Sequence, residues 1–388
     1  MPLLLTYSLR NLSVRKLTTA LTAGGMALVV FVYAAALMLD AGLKQTLVAT
    51  GDEANVIFVR RAAEVEIQSS IDRQQARVIE SAPEVAIGSK GENLVSKEAV
   101  VLITLSQRGT GQISSILIRG VSPSVLAVRP HVQLVEGRMA RPGSTEVVMG
   151  SGITGRFEGV EIGSSIRFGQ RDWQVVGRFD AGRSGFDSEI WCDNEQLMQS
   201  FRRDAYSSIV TRLADPTAFN SIRNRLEADP RLTIDAKRER SFYEEQSRLL
   251  SGFIRVLGLM LSAMFSLGAV FGATITMYAA VASRELEIGV LRALGFRRST
   301  ILFTFLAEAM LLGFIGWVVG LAFASLMTQV NISTLNWSSL SELAFSFVLT
   351  PKIAIQSLVF ALTMGVFGGF LPAMRAARMN IVDALRTV

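Results

Sequence analysis

A single cysteine, Cys192, excludes an intrachain disulfide, and a single histidine, His131, excludes histidine-cluster metal sites and most Ser–His–Asp chemistry. No G-x-x-x-x-G-K-[ST] phosphate loop occurs anywhere in the 388 residues, so the chain is expected to hold no nucleotide of its own. Charge is also scarce, at 19% of residues against an ordinary share of about 25%. Catalysis is therefore not expected, and His131 and Cys192 read as structural residues. What is abundant is apolar side chain. Half of the residues are hydrophobic and the mean hydropathy is +0.38, which points to a membrane protein.

The net charge of +6 is unevenly spread. Between Asp40 and Gly252 there are 27 basic and 28 acidic residues, which leaves 12 basic and 5 acidic for the two ends. The basic excess belongs to the hydrophobic regions, and nucleic acid is not expected as a partner.

Four long apolar runs account for those regions. The 23 uncharged residues from Leu17 to Leu39 reach about 34 Å as a helix, enough for a hydrocarbon core of about 30 Å. This run is longer than a signal-peptide core and is read as an uncleaved span over 17–39. Further spans are expected at Val256–Ser283, Ile301–Met327 and Ile353–Met374. Ten Lys and Arg flank them on one face: Arg10, Arg15 and Lys16 in the head, Arg284, Arg292, Arg297 and Arg298 in one loop, and Arg375, Arg378 and Arg386 in the tail. The loop from Thr328 to Lys352 has only Lys352. The positive-inside rule then puts both termini and the 284–300 loop in the cytoplasm and residues 40–252 outside. Residues 1–16, with Leu5, Leu9 and Leu12 on one stripe, read as an amphipathic helix lying on membrane lipid.

The segment 40–252 patterns as a folded domain. Ala54–Arg60 alternates like a strand, Ser70–Ser81 carries a helical stripe of Ile71, Val78 and Ile79 stopped by Pro83, and a strand returns at Val85–Ile87. The order recurs as strand Ser208–Leu213, a helix with Asp215 as N-cap and Phe219, Ile222 and Leu226 inward, and strand Leu232–Ala236. Between these halves, Val100–Trp191 is β-rich, with Ile166–Phe168 and Trp173–Phe179 paired across Gly169–Asp172. The expected core includes Val56, Phe58, Ile71, Val78, Trp173, Val175, Ile209, Phe219, Ile222 and Leu226. Arg240–Arg255 runs without a break into the second span, and Leu43 and Leu47 extend the first, so both helices are expected to project beyond the bilayer. The fold class is an α-helical membrane protein with four transmembrane helices and a large α+β external domain, a split β–α–β part with an inserted β-rich subdomain.

One cytoplasmic motif carries the functional signal. Residues 285–294 form a short amphipathic helix closed by Gly295. Its apolar positions are Ile288, Leu291 and Leu294, and Glu287 and Arg292 lie on the other face. A helix of this kind between two spans suits docking into a partner groove, while the simpler alternative is a helix resting on lipid. Glu308, about seven residues into the third span, is expected near the inner interface, paired with a basic loop residue such as Arg298. Gly313, Gly316, Gly320, Gly365, Gly368 and Gly369 are expected to permit close helix contact.

The run Arg284–Gly295, its continuation Ile301–Gly320 and the tail from Leu371 through Pro372 to Arg386 resemble the FtsX/MacB-type permease domain of ABC transporters. Glu136–Arg138, Glu146–Gly150 and Trp173–Gly177 are similar to weaker landmarks of that family's external domain. The resemblance implies a MacB-like periplasmic core domain at 40–252 and an FtsX-like permease domain at 253–388. It also implies that Glu285, Glu287, Ile288, Gly289, Leu291, Arg292, Leu294 and Gly295 form the coupling helix seated on an ATPase. Further implications are a separate ATPase dimer that binds ATP and Mg, a second permease copy, a periplasmic adaptor with an outer-membrane channel, and a bacterial inner-membrane location. Export by mechanotransmission is the leading expectation. Lipoprotein or lipid extraction, or signalling to a cell-wall hydrolase, are alternatives.

Overall fold

A computed structural model describes residues 16–336 and 341–379. The expected helix at 1–16, apart from Lys16, and the tail beyond Met379 lie outside them. The chain begins with α1 (Lys16–Thr50). There follow β1 (Asn55–Arg60), α2 (Arg73–Glu80), β2 (Val95–Ser106), β3 (Ile113–Val121), the single turn α3 (Val125–Val128), β4 (Gln133–Gly137) and β5 (Glu146–Gly150). Next come β6 (Ser165–Phe168), β7 (Arg171–Asp180), β8 (Glu189–Asp193), α4 (Asn194–Ser200), β9 (Ser208–Arg212), α5 (Phe219–Glu227) and β10 (Ile234–Arg238). The chain ends with α6 (Glu239–Ala282), α7 (Glu285–Ala293), α8 (Arg298–Leu326), the paired strands β11 (Asn331–Asn336) and β12 (Ser341–Ser346), and α9 (Pro351–Arg378). Contacts divide the chain into a helical unit, 1–41 with 252–330 and 346–388, and a sheet unit, 42–251 with 331–345.

The sheet unit is built on ten strands in the order β10-β1-β9-β2-β3-β8-β5-β7-β4, with β6 paired to β7. β1 is antiparallel to β10 and β9, and β2 is antiparallel to β9. The pairs β1–α2–β2 and β9–α5–β10 are thus two interleaved β–α–β crossovers, each enclosing a strand of the other half, the split arrangement expected. Helix caps follow local chemistry: Asp72 accepts the Gln74 and Gln75 amides ahead of α2, and Asp215 accepts the Thr217 amide ahead of Pro216. The β6–β7 hairpin turns on Gly169 and Gln170, both at positive φ, a two-residue turn tighter than the Gly169–Asp172 loop expected.

Two details of the expectation are corrected. The return strand of the first crossover is β2, not Val85–Ile87, which makes only isolated bridges to Leu213 and Asn93. The insertion is not a separate small sheet either. Residues 95–98 of β2 pair with β9 and residues 99–106 pair with β3, so one long strand belongs to both parts and the sheet runs on. The same unit holds β11 and β12, where the sequence indicated only a connecting loop. Glu342 pairs with Arg156 and accepts from Gln107, and the Ala344 amide donates to Ser188 at 3.1 Å.

One face of the sheet buries the expected core: Val56, Phe58, Ile71, Trp173, Val175, Ile209, Ile222 and Leu226 share one cluster, with Val78 and Phe219 packed on its margin. The other face holds Phe179, Phe186, Trp191, Phe242 and Tyr243 together with ions. Arg119 is bidentate to Glu66 at 2.7 and 2.9 Å and to Glu189 at 2.7 and 2.8 Å, and it reaches Glu98 at 2.7 Å. Arg129 bridges Glu98 to Glu239, the first residue of α6, and both guanidinium groups lie near the Phe186 ring. Four buried carboxylates thus share two buried arginines. Burial, reinforced by neighbouring Glu66, raises the Glu189 pKa, while Arg119 outweighs the burial of Glu66 and lowers its pKa.

In the helical unit α8 is the shared partner, and its glycines explain why. A side chain at Gly316 would collide with the Met26 Cβ of α1, one at Gly320 with the Ala27 carbonyl of α1, and one at Gly313 with the Ala361 carbonyl of α9. Gly365 and Gly369 return the contact at Ala309, and Gly368 admits Ala273 of α6. Close backbone approach replaces the hydrophobic drive that lipid removes. Among the described residues four helices, Lys16–Thr50, Glu239–Ala282, Arg298–Gln329 and Pro351–Arg378, are long and apolar enough to cross a membrane. α1 and α6 exceed the roughly 20 residues that a bilayer requires.

The loop Gly185–Ser188 supplies a pH signature. Burial pushes the Asp187 carboxyl from its ordinary 3.8 up to about 6, although it accepts the Ala181 amide at 2.7 Å. The folded chain then binds this proton more tightly than the unfolded chain. The contribution to stability is complete below about pH 4 and lost as pH rises through 6. Urea unfolding of the full chain, followed by tryptophan fluorescence, is expected to show this loss between about pH 4 and 6 in the wild type and not in Asp187→Asn. Parallel pH profiles would contradict the assignment.

Candidate functional site

The segment joining α6 to α8 is shaped by local rules. Glu285 and Glu287 sit in the first turn of α7 and Arg292 in the last, signs that complement the helix dipole. At its C-terminus the Gly295 amide donates to Arg292 at 3.1 Å and the Phe296 amide to Leu291 at 3.2 Å, with Gly295 at φ +93°. That is a Schellman closure, and a side chain at position 295 would be strained. α7 is therefore a fixed nine-residue helix.

The inner face of α7 is locked into the bundle. Ile288 is 2% exposed and belongs to a cluster with Met26 of α1, Met277 and Val281 of α6, Ile301 and Phe305 of α8 and Ala373 of α9. Gly289 is buried beside it. Arg284, at the N-cap position, is bidentate to Glu308 of α8 at 2.9 and 3.0 Å, with 8% and 3% of the two side chains exposed. The Arg284 guanidinium also lies 5.8 Å from the centre of the Phe305 ring. Glu308 thus pairs with Arg284, not with Arg298. Arg284 ends the segment that enters α7, and its reach brings the carboxylate and the guanidinium together among apolar rings, where each requires the other.

The outer face differs from the one expected. Leu286, Val290 and Leu294 are 50%, 45% and 72% exposed, and Phe296 is 41% exposed. Residues 286, 290 and 294 stand four apart and share one stripe, about 200° round the helix from Ile288. Leu291 is half-buried and, with Glu287 and Phe296, lines a small cleft of about 30 Å³ against Thr300, Ile301 and Thr304. Of the apolar residues assigned to partner contact, Leu294 is fully presented, Leu291 lines the cleft, and Ile288 is a bundle residue. Leu286, Val290 and Phe296 are also exposed there. Both stripes of α7 are apolar, so periodicity alone did not decide which faces inward. Glu308, the only charge in its span, was the available signal.

His131 and Cys192 lie in the sheet unit. His131 stacks on Phe186 with ring centres 6.4 Å apart, and Cys192 is a buried free thiol whose pKa burial raises. No group of three or more potential metal ligands occurs among the described residues.

Family comparisons match both parts. The model of the MacB-like periplasmic core domain matches residues 19–229, and that of the FtsX-like permease C-terminal matches residues 259–381. Among curated relatives, the macrolide export ATP-binding/permease protein MacB of Nitrobacter winogradskyi is 32% identical over 197 residues, covering 48% of this chain and 28% of that protein. The pyoverdine export ATP-binding/permease protein PvdT of Pseudomonas syringae is 33% identical over 188 residues, 46% of this chain and 26% of that protein. An uncharacterised ABC transporter permease, YvrN of Bacillus subtilis, is 32% identical over 114 residues, 28% of this chain and 25% of that protein. The chain spans about a quarter to a third of the length of the curated relatives it matches. The crystal structure of the periplasmic region of MacB from Actinobacillus actinomycetemcomitans aligns at 12% identity with a TM-score of 0.38, over 50% of this chain and 92% of that one.

The buried pair gives a test. Removing one partner strands a charge in an apolar site, at a cost of about 3–5 kcal/mol. Arg284→Ala and Glu308→Ala are each expected to lower unfolding stability by that order and to open the 284–298 loop to protease. Arg284→Met with Glu308→Leu, which removes both charges, is expected to recover most of the loss. Single variants as stable as the wild type would show that the pair does not hold α7.

Proposed function

Because the chain belongs to the family defined by the MacB-like periplasmic core domain, matched over residues 19–229, we propose that it is the membrane subunit of an ATP-driven ABC transporter and that α7 is where a partner ATPase drives it. The observation that carries this reading is the two-sided burial of α7. One face, Ile288 with Arg284, is built into the bundle, and the opposite face presents Leu286, Val290 and Leu294 with Phe296 beside them. A lever needs such an arrangement, one side fixed to the moving body and the other free for the driver. A helix that only rested on lipid would need no buried ion pair.

In this reading the α7 face and both termini are cytoplasmic, in a bacterial inner membrane, and the sheet unit lies outside. The presence of 42–251 and 331–345 in a single unit supports placing the first-to-second and third-to-fourth span connections on the same side. Closure of two ATPase subunits, which bind ATP and Mg, would press on Leu286, Val290 and Leu294. The load passes through Ile288 and Arg284 into α8 and through α6 toward the external domain. The work is mechanical, and export through a periplasmic adaptor and outer-membrane channel, by a pair of these permeases, is its use. The names of the macrolide- and pyoverdine-exporting relatives support export as the process.

The test separates the two faces. With the chain and its ATPase co-expressed, Leu286→Glu with Leu294→Glu is expected to reduce co-purification at least about tenfold, the effect of losing roughly 1.4 kcal/mol, while leaving folding and insertion unchanged. Ile288→Ala is expected to lower bundle stability. Wild-type co-purification and ATP hydrolysis in the double variant would eliminate α7 as the coupling surface.

A further inference from the structure

The sheet unit carries a cleft of about 240 Å³ on the opposite side of β8 from the main core, more than the roughly 150 Å³ that holds one benzene ring. Its floor is Trp191 and Val125, and its walls are Leu126, Met139 and Ala140, half-exposed side chains from α3 and the segment after β4. Trp191 directs its indole N–H away to Glu189 at 3.0 Å and packs on Phe179 with ring centres 4.4 Å apart, so the floor is rigid.

Two of the eleven residues lining the cleft are polar, and they differ. Ser122 is committed, taking the Lys97 amide at 2.9 Å and donating to the Lys97 carbonyl at 3.3 Å. Asp193, 8% exposed, uses only Oδ1, which accepts the Gln196 amide at 2.9 Å to cap α4. Its second oxygen has no partner among the described residues, and no basic residue lines the cleft. A carboxylate with one oxygen capping α4 and the other uncommitted, at the rim of an apolar cavity that no basic residue lines, can take a charge-assisted hydrogen bond from a cation.

We propose that this cleft binds a small amphiphile with a compact apolar body and an ammonium group, the body against Trp191, Leu126 and Met139 and the ammonium on Asp193. The charge complementarity selects the amine, and the volume selects a molecule of one or two rings. The site is separate from α7, so its failure would leave the coupling reading untouched.

The test uses the full chain in lipid nanodiscs. Dansylcadaverine, a naphthalene sulfonamide with a primary ammonium, is titrated while tryptophan-sensitised dansyl emission is followed, with neutral dansylamide as control. A saturable component is expected with dansylcadaverine, about tenfold or more weaker with dansylamide. Asp193→Asn keeps the α4 cap, because asparagine caps as well as aspartate, and is expected to weaken binding by at least about tenfold. Ala140→Trp fills the cavity and is expected to abolish the saturable component. Equal affinity in the wild type and Asp193→Asn, or a component that survives Ala140→Trp, would overturn the site. Absence of saturation in the wild type would overturn it as well and leave the cleft to a side chain of a polypeptide partner.

Discussion

A guanidinium and a carboxylate are buried together where α6 gives way to α7: Arg284 on Glu308, bidentate, beneath the Phe305 ring. Desolvating both ions is expensive, and the pair persists because each satisfies the other in good geometry. Its consequence is positional. It fixes the start of α7 to α8 so that Ile288 falls into the cluster shared by α1, α6, α7, α8 and α9, and Leu286, Val290 and Leu294 are turned outward. A hydrophobic contact in its place would tolerate sliding along the helix. A bidentate pair does not.

The helices behind it are closely packed. Gly313, Gly316 and Gly320 bring α8 against α9 and α1 at backbone distance, where a methyl group would collide with a carbonyl or with the Met26 Cβ. Close packing of this kind deforms little. In the sheet unit the first residues of α6 are held just as firmly: Glu239 takes Arg129 and the Asn55 side chain, and Tyr243 donates to Glu66 at 3.2 Å. The helix α6 is unbroken from Glu239 to Ala282, so ion pairs buried among aromatic rings secure its beginning and the Met277–Val281 cluster secures its end.

How much the sequence revealed depended on what each interaction needs. The spans, the second crossover and eight buried core residues followed from periodicity and caps, because those are local or one-dimensional signals, whereas the return strand of the first crossover was set by its pairing with β9. The Glu308 partner did not, since Arg284, Arg297 and Arg298 are all near in sequence and only the packed bundle selects one. The inward face of α7 stayed open because both stripes are apolar. The strands β11 and β12 were hidden in a connecting segment whose pairing with the sheet unit is a long-range fact, carried by Glu342 with Arg156 and Gln107. The ions Arg119, Arg129, Glu66, Glu98 and Glu189 looked like ordinary charges of a neutral domain, since burial comes from the sheet topology.

The central claim is that load applied to α7 enters the bundle through Arg284 and Glu308. Amide hydrogen exchange at Phe242–Ser247, measured with the partner ATPase in nucleotide-free and ATP-trapped states, tests it most directly. The account predicts a nucleotide-dependent change in the wild type, its loss in Arg284→Glu, and its return in the charge swap Arg284→Glu with Glu308→Arg. A nucleotide-dependent change in Arg284→Glu equal to that of the wild type would contradict it.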